Sequence, residues 1–245
     1  MKKVLISLNL IVSVLLFGCK SDDQNAEIKK MPSSISSVYN TVNFYYTANG
    51  QLVKVTEKES DEDYSEIIFT YNSTGKVTKF VTIQHEYGDI ETYSYNINYP
   101  SENEAVVVDD DYEYTRVSFD EKGQAISFNN QDEVTNFNYD DRGNIVKITD
   151  SRTTTTASYN NDKGILSGIN APKWILLLTD TELFYYIANN PVSINSVYQY
   201  EGQTSTYSQT YNYPVEHVIK GYPTKMTVDY NSATSTYNEL YTITY

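Results

Sequence analysis

The sequence predicts a mainly β fold: a large, curled antiparallel meander of repeated hairpins with one short helical insert over residues 172–188. Three observations carry this. The 245 residues include 25 Tyr against eight Phe and one Trp, and tyrosine favours pleated, half-buried strands. Glycines recur at a fixed offset behind an aromatic residue. Between them apolar and polar residues alternate with period two, which marks half-buried antiparallel strands.

The repeat opens at Tyr46, with Gly50 four residues on and the strand-like run Leu52 to Val55 after it. It returns as Tyr71 with Gly75, Phe119 with Gly123 and Tyr139 with Gly143. Tyr159 with Gly164 is the same unit with one residue inserted. These glycines lie 25, 48, 20 and 21 residues apart. The gap of 48 spans two units, and Tyr99 and Asn103 mark its middle. Asn is the residue that best replaces Gly at positive φ, so it is expected to turn the chain there. Each unit reads as a hairpin whose Asn/Asp–Gly cluster forms the tight turn. Tyr93, Tyr95, Ile97 and Tyr99 fall on one face, with Thr92, Ser94, Asn96 and Asn98 on the other. Tyr207, Tyr211 and Tyr213 repeat this around Gln209, and Tyr241, Ile243 and Tyr245 close the chain. About sixteen strands fit between Val38 and Tyr245.

Pro172 to Ile187 has no alternation and reads as helix. Pro172 suits a first turn and Asn189-Asn190-Pro191 a stop. Thr179 with Glu182 matches a capping box, so the segment divides into two short helices near Thr179. Trp174, Ile175, Leu176, Leu177, Leu183 and Phe184 cover nearly every side, which requires burial. Sixteen strands at ~4.8 Å would make a flat sheet roughly 75 Å wide. Open sheets rarely exceed ~10 strands without curling or splitting. The sheet is therefore expected to curl over residues 172–188 as a half-barrel or incomplete shell.

The N-terminus has the parts of a secretory signal over residues 1–18: Lys2 and Lys3, the largely apolar run Val4 to Phe17, and Gly18 as the small residue before the cut. The run is shorter than the ~20 residues a membrane helix needs. Cys19, the one cysteine, follows directly. Leu16-Phe17-Gly18-Cys19 resembles the bacterial lipobox. That resemblance implies cleavage between Gly18 and Cys19, with a diacylglycerol and an N-acyl lipid on Cys19 and no other cofactor. Lys20-Ser21-Asp22-Asp23 resembles the export signal that takes Bacteroidota lipoproteins to the outer face of the outer membrane; a solvated tether facing the periplasm is the alternative. Residues 19–37 then form a polar tether and 38–245 the β domain.

The unit Tyr139-Asp140-Asp141-Arg142-Gly143-Asn144-Ile145-Val146-Lys147-Ile148 resembles a YD (RHS-type) repeat. Gly221-Tyr222-Pro223-Thr224-Lys225 is similar to the last repeat of a Bacteroidota lipoprotein family of unknown function built from such units. The resemblance spans most of 38–245. It implies a fold and a location but no activity, and the chain lacks the long arrays and toxin domain of the large RHS proteins.

The formal net charge of −14 deepens once the signal, with two Lys and no acid, is removed. Such a chain is repelled by nucleic-acid phosphates and does not lie flat on anionic lipid. The membrane is thus a partner through the lipid anchor alone. His85 and His217 have no partner motif for metal or acid–base work. No Gly-x-Ser-x-Gly or phosphate-binding loop is present. Asp61-Glu62-Asp63, Asp109-Asp110-Asp111 and Asp140-Asp141 suit solvated turns that blunt sheet edges; calcium stays open for them, although the alternating spacing of a calcium loop is missing. No catalytic or metal residue is assigned. The function expected is a non-enzymatic binding or structural module at the outer-membrane surface with a glycan or protein ligand. The alternative is an envelope glycan hydrolase using two facing carboxylates.

Overall fold

The computed structural model describes residues 29–60, 62–109, 112–130, 133–178 and 182–245. The strands are β1 (Ser34–Ser36), β2 (Thr41–Tyr46), β3 (Leu52–Lys58), β4 (Asp63–Tyr71), β5 (Val77–Glu86), β6 (Asp89–Ser101), β7 (Glu104–Asp109), β8 (Tyr112–Phe119) and β9 (Ala125–Asn130). They continue as β10 (Glu133–Tyr139), β11 (Ile145–Thr149), β12 (Thr153–Lys163), β13 (Asn189–Tyr200), β14 (Gln203–Asn212), β15 (Val218–Ile219), β16 (Tyr222–Pro223), β17 (Lys225–Ser232) and β18 (Thr236–Thr244). Sixteen of them form a closed antiparallel barrel, and β15 pairs with β16 in a small separate hairpin.

The sheet goes further than a half-barrel because β1 bridges its two ends. Ile35 of β1 pairs with Ile243 of β18 on one side and Val42 of β2 on the other. These three residues (Ser34–Ser36) lie at the end of the stretch read as tether. Closure removes both sheet edges, the usual weak point of a long meander. It also corrects the resemblance to YD-repeat lipoproteins. The repeated hairpins all turn their apolar faces toward one shared interior, and a closed barrel is not the fold of RHS repeats.

The turns explain the repeat. At Gly75 the backbone φ is +81°, the Gly75 N–H donates to the Asn72 carbonyl at 3.1 Å, and Asn72 Oδ1 accepts from the N–H groups of Thr74 and Lys76. Asp120 and Asp140 hold their turns in the same way. The aromatic residue before each turn sits at a break in register, as at Thr70/Tyr71 and Asn138/Tyr139. That is the geometry of a hairpin closed by a tight turn and a bulge. Asn103 departs from expectation: it turns the chain between Ser101 and Glu104 without a positive φ.

Gly164 also departs. It makes no hairpin turn but leads the chain into the barrel, where Ile165 and Leu166 are fully buried. The Gly164 N–H donates to Ala188 O and the Leu166 N–H to Tyr186 O, so the two ends of the insert zip together. The insert holds one helical turn, α1 (Ile175–Leu178), and a 3₁₀ turn over Glu182–Tyr186. The capping pair falls at Thr179, outside the described residues. Trp174, Ile175, Leu176, Leu183 and Ile187 share one buried cluster with the barrel wall. The sheet does curl over this insert, which plugs one end. Gly50, Gly75, Gly123 and Gly143 turn at that end, and Lys30 enters there against Gly168.

Inward and outward faces differ sharply. One inward row runs Ala157, Ile194, Gln209, Tyr230 and Tyr237 across β12 to β18. A neighbouring outward row runs Asn138, Lys147, Thr156, Asn195, Ser208 and Asn231. The core lies inside the barrel. Outside, the wall from β10 to β17 is polar along this row, whereas the row Tyr45, Lys54, Ile68, Val81 and Ser94 across β2 to β6 mixes apolar with polar side chains.

Candidate ligand cavity

The plug fills only one end. Above it, where β1, β2 and β3 meet β17 and β18, lies a cavity of about 350 Å³. Strand alternation builds its wall. Tyr237, Glu239, Tyr241 and Ile243 of β18 point inward because Asn238, Leu240 and Thr242 point out. Their partners on β17 are Tyr230 opposite Tyr237, Val228 opposite Glu239 and Met226 opposite Tyr241. From β3, Glu57 points inward opposite Val42. Leu183 and Tyr186 of the plug line the cavity from below, and Asn40 of the β1–β2 turn lines it near the rim.

The polar groups are ordered. Tyr241 Oη donates to Glu239 Oε2 at 2.8 Å, and the hydroxyls of Tyr230 and Tyr241 are 2.8 Å apart. Tyr237 stacks on Tyr230 with ring centroids 4.5 Å apart and planes 12° off parallel. Across the cavity, Asn40 Nδ2 donates to Glu57 Oε1 at 3.1 Å. Burial first, then the bonds to Tyr230 and Glu239, pushes the Tyr241 phenol well above the usual value, so it remains a donor. Glu239 is 8 % exposed. Ion pairs of the described residues include Lys54 with Glu66, Arg116 with Glu104 and Arg142 with Asp140. None reaches Glu57 or Glu239. A carboxylate buried without a cation is costly, and a ligand that supplies one recovers that cost.

A second hollow of about 420 Å³ lies at the plugged end beside Lys122, Arg142, Lys173 and Trp174. Its best anion donor is already engaged: Arg142 donates to Asn160 O and Asn161 Oδ1 and pairs with Asp140. The cavity at the other end is therefore the stronger ligand candidate.

Gly18, Cys19, Lys20, Ser21, Asp22 and Asp23 lie outside the described residues. The two histidines are far apart in the fold. His85 stacks on Tyr64 at 4.0 Å on the outer face of β5, and His217 ends a 3₁₀ turn before β15. Asp140 is spent on its turn: burial alone would raise its pKa, but bonds from Asn144 and Arg142 bring it below the ordinary carboxylate value. Among the described residues no three His, Cys, Asp or Glu side chains gather as a metal site would need. Glu57 and Glu239 were not singled out from sequence. The signal was there: Glu239 interrupts the inward series Tyr237, Tyr241, Ile243, and Glu57 continues the inward series from Val55.

No protein-family model matches this chain, and no curated protein does. Solved structures do. A porin-like protein from Bacteroides uniformis ATCC 8492 is 13% identical, with 89% of this chain and 98% of that one covered at a TM-score of 0.41. A porin-like protein from Bacteroides vulgatus ATCC 8482 is 10% identical, with 88% and 99% covered at a TM-score of 0.42.

Proposed function

We propose that this chain is a non-enzymatic binding protein of the outer membrane, held by lipid on Cys19, with its barrel in the aqueous phase and the tyrosine–carboxylate cavity as its ligand site. The observation that carries the reading is the polarity of the barrel. A membrane barrel turns an apolar band outward and a polar lumen inward; here the row from Asn138 to Asn231 is outward and polar, and the core is inside. A barrel of this kind does not enter lipid by itself, so the lipobox-like Leu16 to Cys19 supplies the attachment. Two or three acyl chains, at ~0.8 kcal/mol per buried CH₂, suffice. The chain enters the barrel at the plugged end, so the tether leads from lipid to that end and the cavity mouth points away from it.

Replacing Cys19 with Ser should move the protein from the membrane fraction to the soluble one. A variant that stays membrane-bound after high salt would sink the anchor. Protease added to intact cells should remove the protein if Lys20 to Asp23 acts as a surface signal; full protection places it on the periplasmic side.

The hydrolase reading keeps one specific support, the two carboxylates Glu57 and Glu239 on a single cavity. Hydrolysis assays on envelope glycans decide it. Turnover lost in Glu239→Gln would replace the binding reading with an enzymatic one.

A further inference from the structure

We infer that the cavity at the β1–β3 and β17–β18 seam takes an organic cation, an alkylammonium or guanidinium group, between tyrosine rings and the carboxylates of Glu239 and Glu57. This rests on the binding reading above and names its ligand class. Two features of the site point the same way. Glu239 is buried and accepts a hydrogen bond from Tyr241, and among the described residues no cation pairs with it. Tyr230, Tyr237, Tyr241 and Tyr186 bring aromatic rings to the same space. Ring faces attract a cation within ~6 Å, most strongly where water is excluded.

The apolar lining separates this ligand from its rivals. Ile35, Val42, Leu183 and Met226 share the cavity with the carboxylates. A hard metal ion wants ~6–8 oxygens at close range, which this lining does not offer. A neutral sugar would leave Glu239 uncompensated. An alkylammonium or guanidinium group carries both a charge for the carboxylates and carbon for the apolar floor. The approach is acidic too. A hollow that shares Glu57 is lined by Glu59, Asp63 and Glu86. On a chain of net charge −14, such a rim raises the local concentration of cations.

The test is calorimetric titration of the full chain, purified in a non-ionic detergent, with three cations: choline, spermidine and N-acetyl-arginine amide. The neutral isostere 3,3-dimethyl-1-butanol is the control. The three separate a quaternary ammonium, a polyamine and a basic peptide side chain as the source. Saturable binding of at least one cation is expected, with none for the alcohol. Glu239→Gln should weaken it about tenfold or more, the size of one desolvated charge contact. Should Glu239→Gln fail to fold, Tyr237→Ala at the half-exposed rim decides, with the same weakening expected. No saturation by any cation, equal binding of the alcohol, or unchanged affinity in the variant that folds overturns the inference. Such a failure leaves the anchor untouched, because release by Cys19→Ser is read separately; glycan turnover would instead remove the binding reading itself.

Discussion

Tyr71 shows what most tyrosines of this chain do. Its hydroxyl donates to the Leu52 carbonyl, two residues past Gly50, at 2.6 Å. Tyr99 does the same to Val77 O, Tyr139 to Ala125 O and Tyr159 to Ile145 O. Each unit thus bolts its aromatic onto the turn of the unit before. Burial raises these phenols, that of Tyr99 to about 12, so they remain donors under all ordinary conditions. Phe119 has no hydroxyl and packs edge-on against Trp174 instead, at 5.5 Å. The sequence shows these residues as packing aromatics on an inward face. It hides the bolt, because the acceptor is a backbone carbonyl whose position depends on register. Tyr71→Phe should lower stability by about 1 kcal/mol, the net worth of one hydrogen bond with its acceptor left buried. Tyr45→Phe, at an exposed outward position, should stay within ~0.5 kcal/mol. Urea unfolding midpoints of the two variants test this; equal midpoints would show that the hydroxyl contributes nothing.

At the scale of elements, spacing alone cannot separate two kinds of glycine. Gly75 and Gly164 follow their tyrosines at nearly the same distance, yet one turns a hairpin and the other starts the plug. The difference is what surrounds them. A Cβ on Gly75 would meet only the Gln51 amide at 4.0 Å, whereas one on Gly164 would strike the Tyr186 carbonyl at 2.1 Å. The contact is with a residue 22 positions away, which no local pattern reveals. The same limit hid β1: Ser34–Ser36 is too short to show alternation, and only its two partners make it a strand. The apolar stretch after Pro172 was legible as a buried insert because its composition, not its partner, forces burial. Gly75→Ala should cost ~1–2 kcal/mol through its left-handed backbone. Gly164→Ala should cost more than ~3 kcal/mol, since backbone must move on both sides of the plug. Thermal unfolding of the pair checks the order, and a reversed order would mean the plug is not fixed at Gly164.

Across the whole molecule, charge and polarity divide along the barrel axis. Acids crowd the end away from the plug: Glu59, Glu62 and Asp63 after β3, Glu86 and Asp89 around the β5–β6 turn, Glu201 at the β13–β14 turn. Lys29, Lys30, Lys163, Lys173 and Lys220 lie at the plugged end, interspersed with acids. On the proposed reading, in which a lipid-anchored tether leads from the plugged end, the strongly acidic rim would be held away from anionic headgroups, where repulsion is greatest. Lipid is a poor surround for the wall from β10 to β17, because outward positions there carry Asn, Thr, Ser and Lys side chains that would lose water without gaining partners. Ions cannot readily pass through it either, since Leu166, Ile175 and Leu176 of the plug are fully buried against the wall. The barrel is thus expected to conduct nothing. Adding the full chain to a planar lipid bilayer should give no stepwise current at any voltage the bilayer tolerates. Reproducible current steps whose size changes with Trp174→Ala, in the plug, would show that the wall does enter lipid.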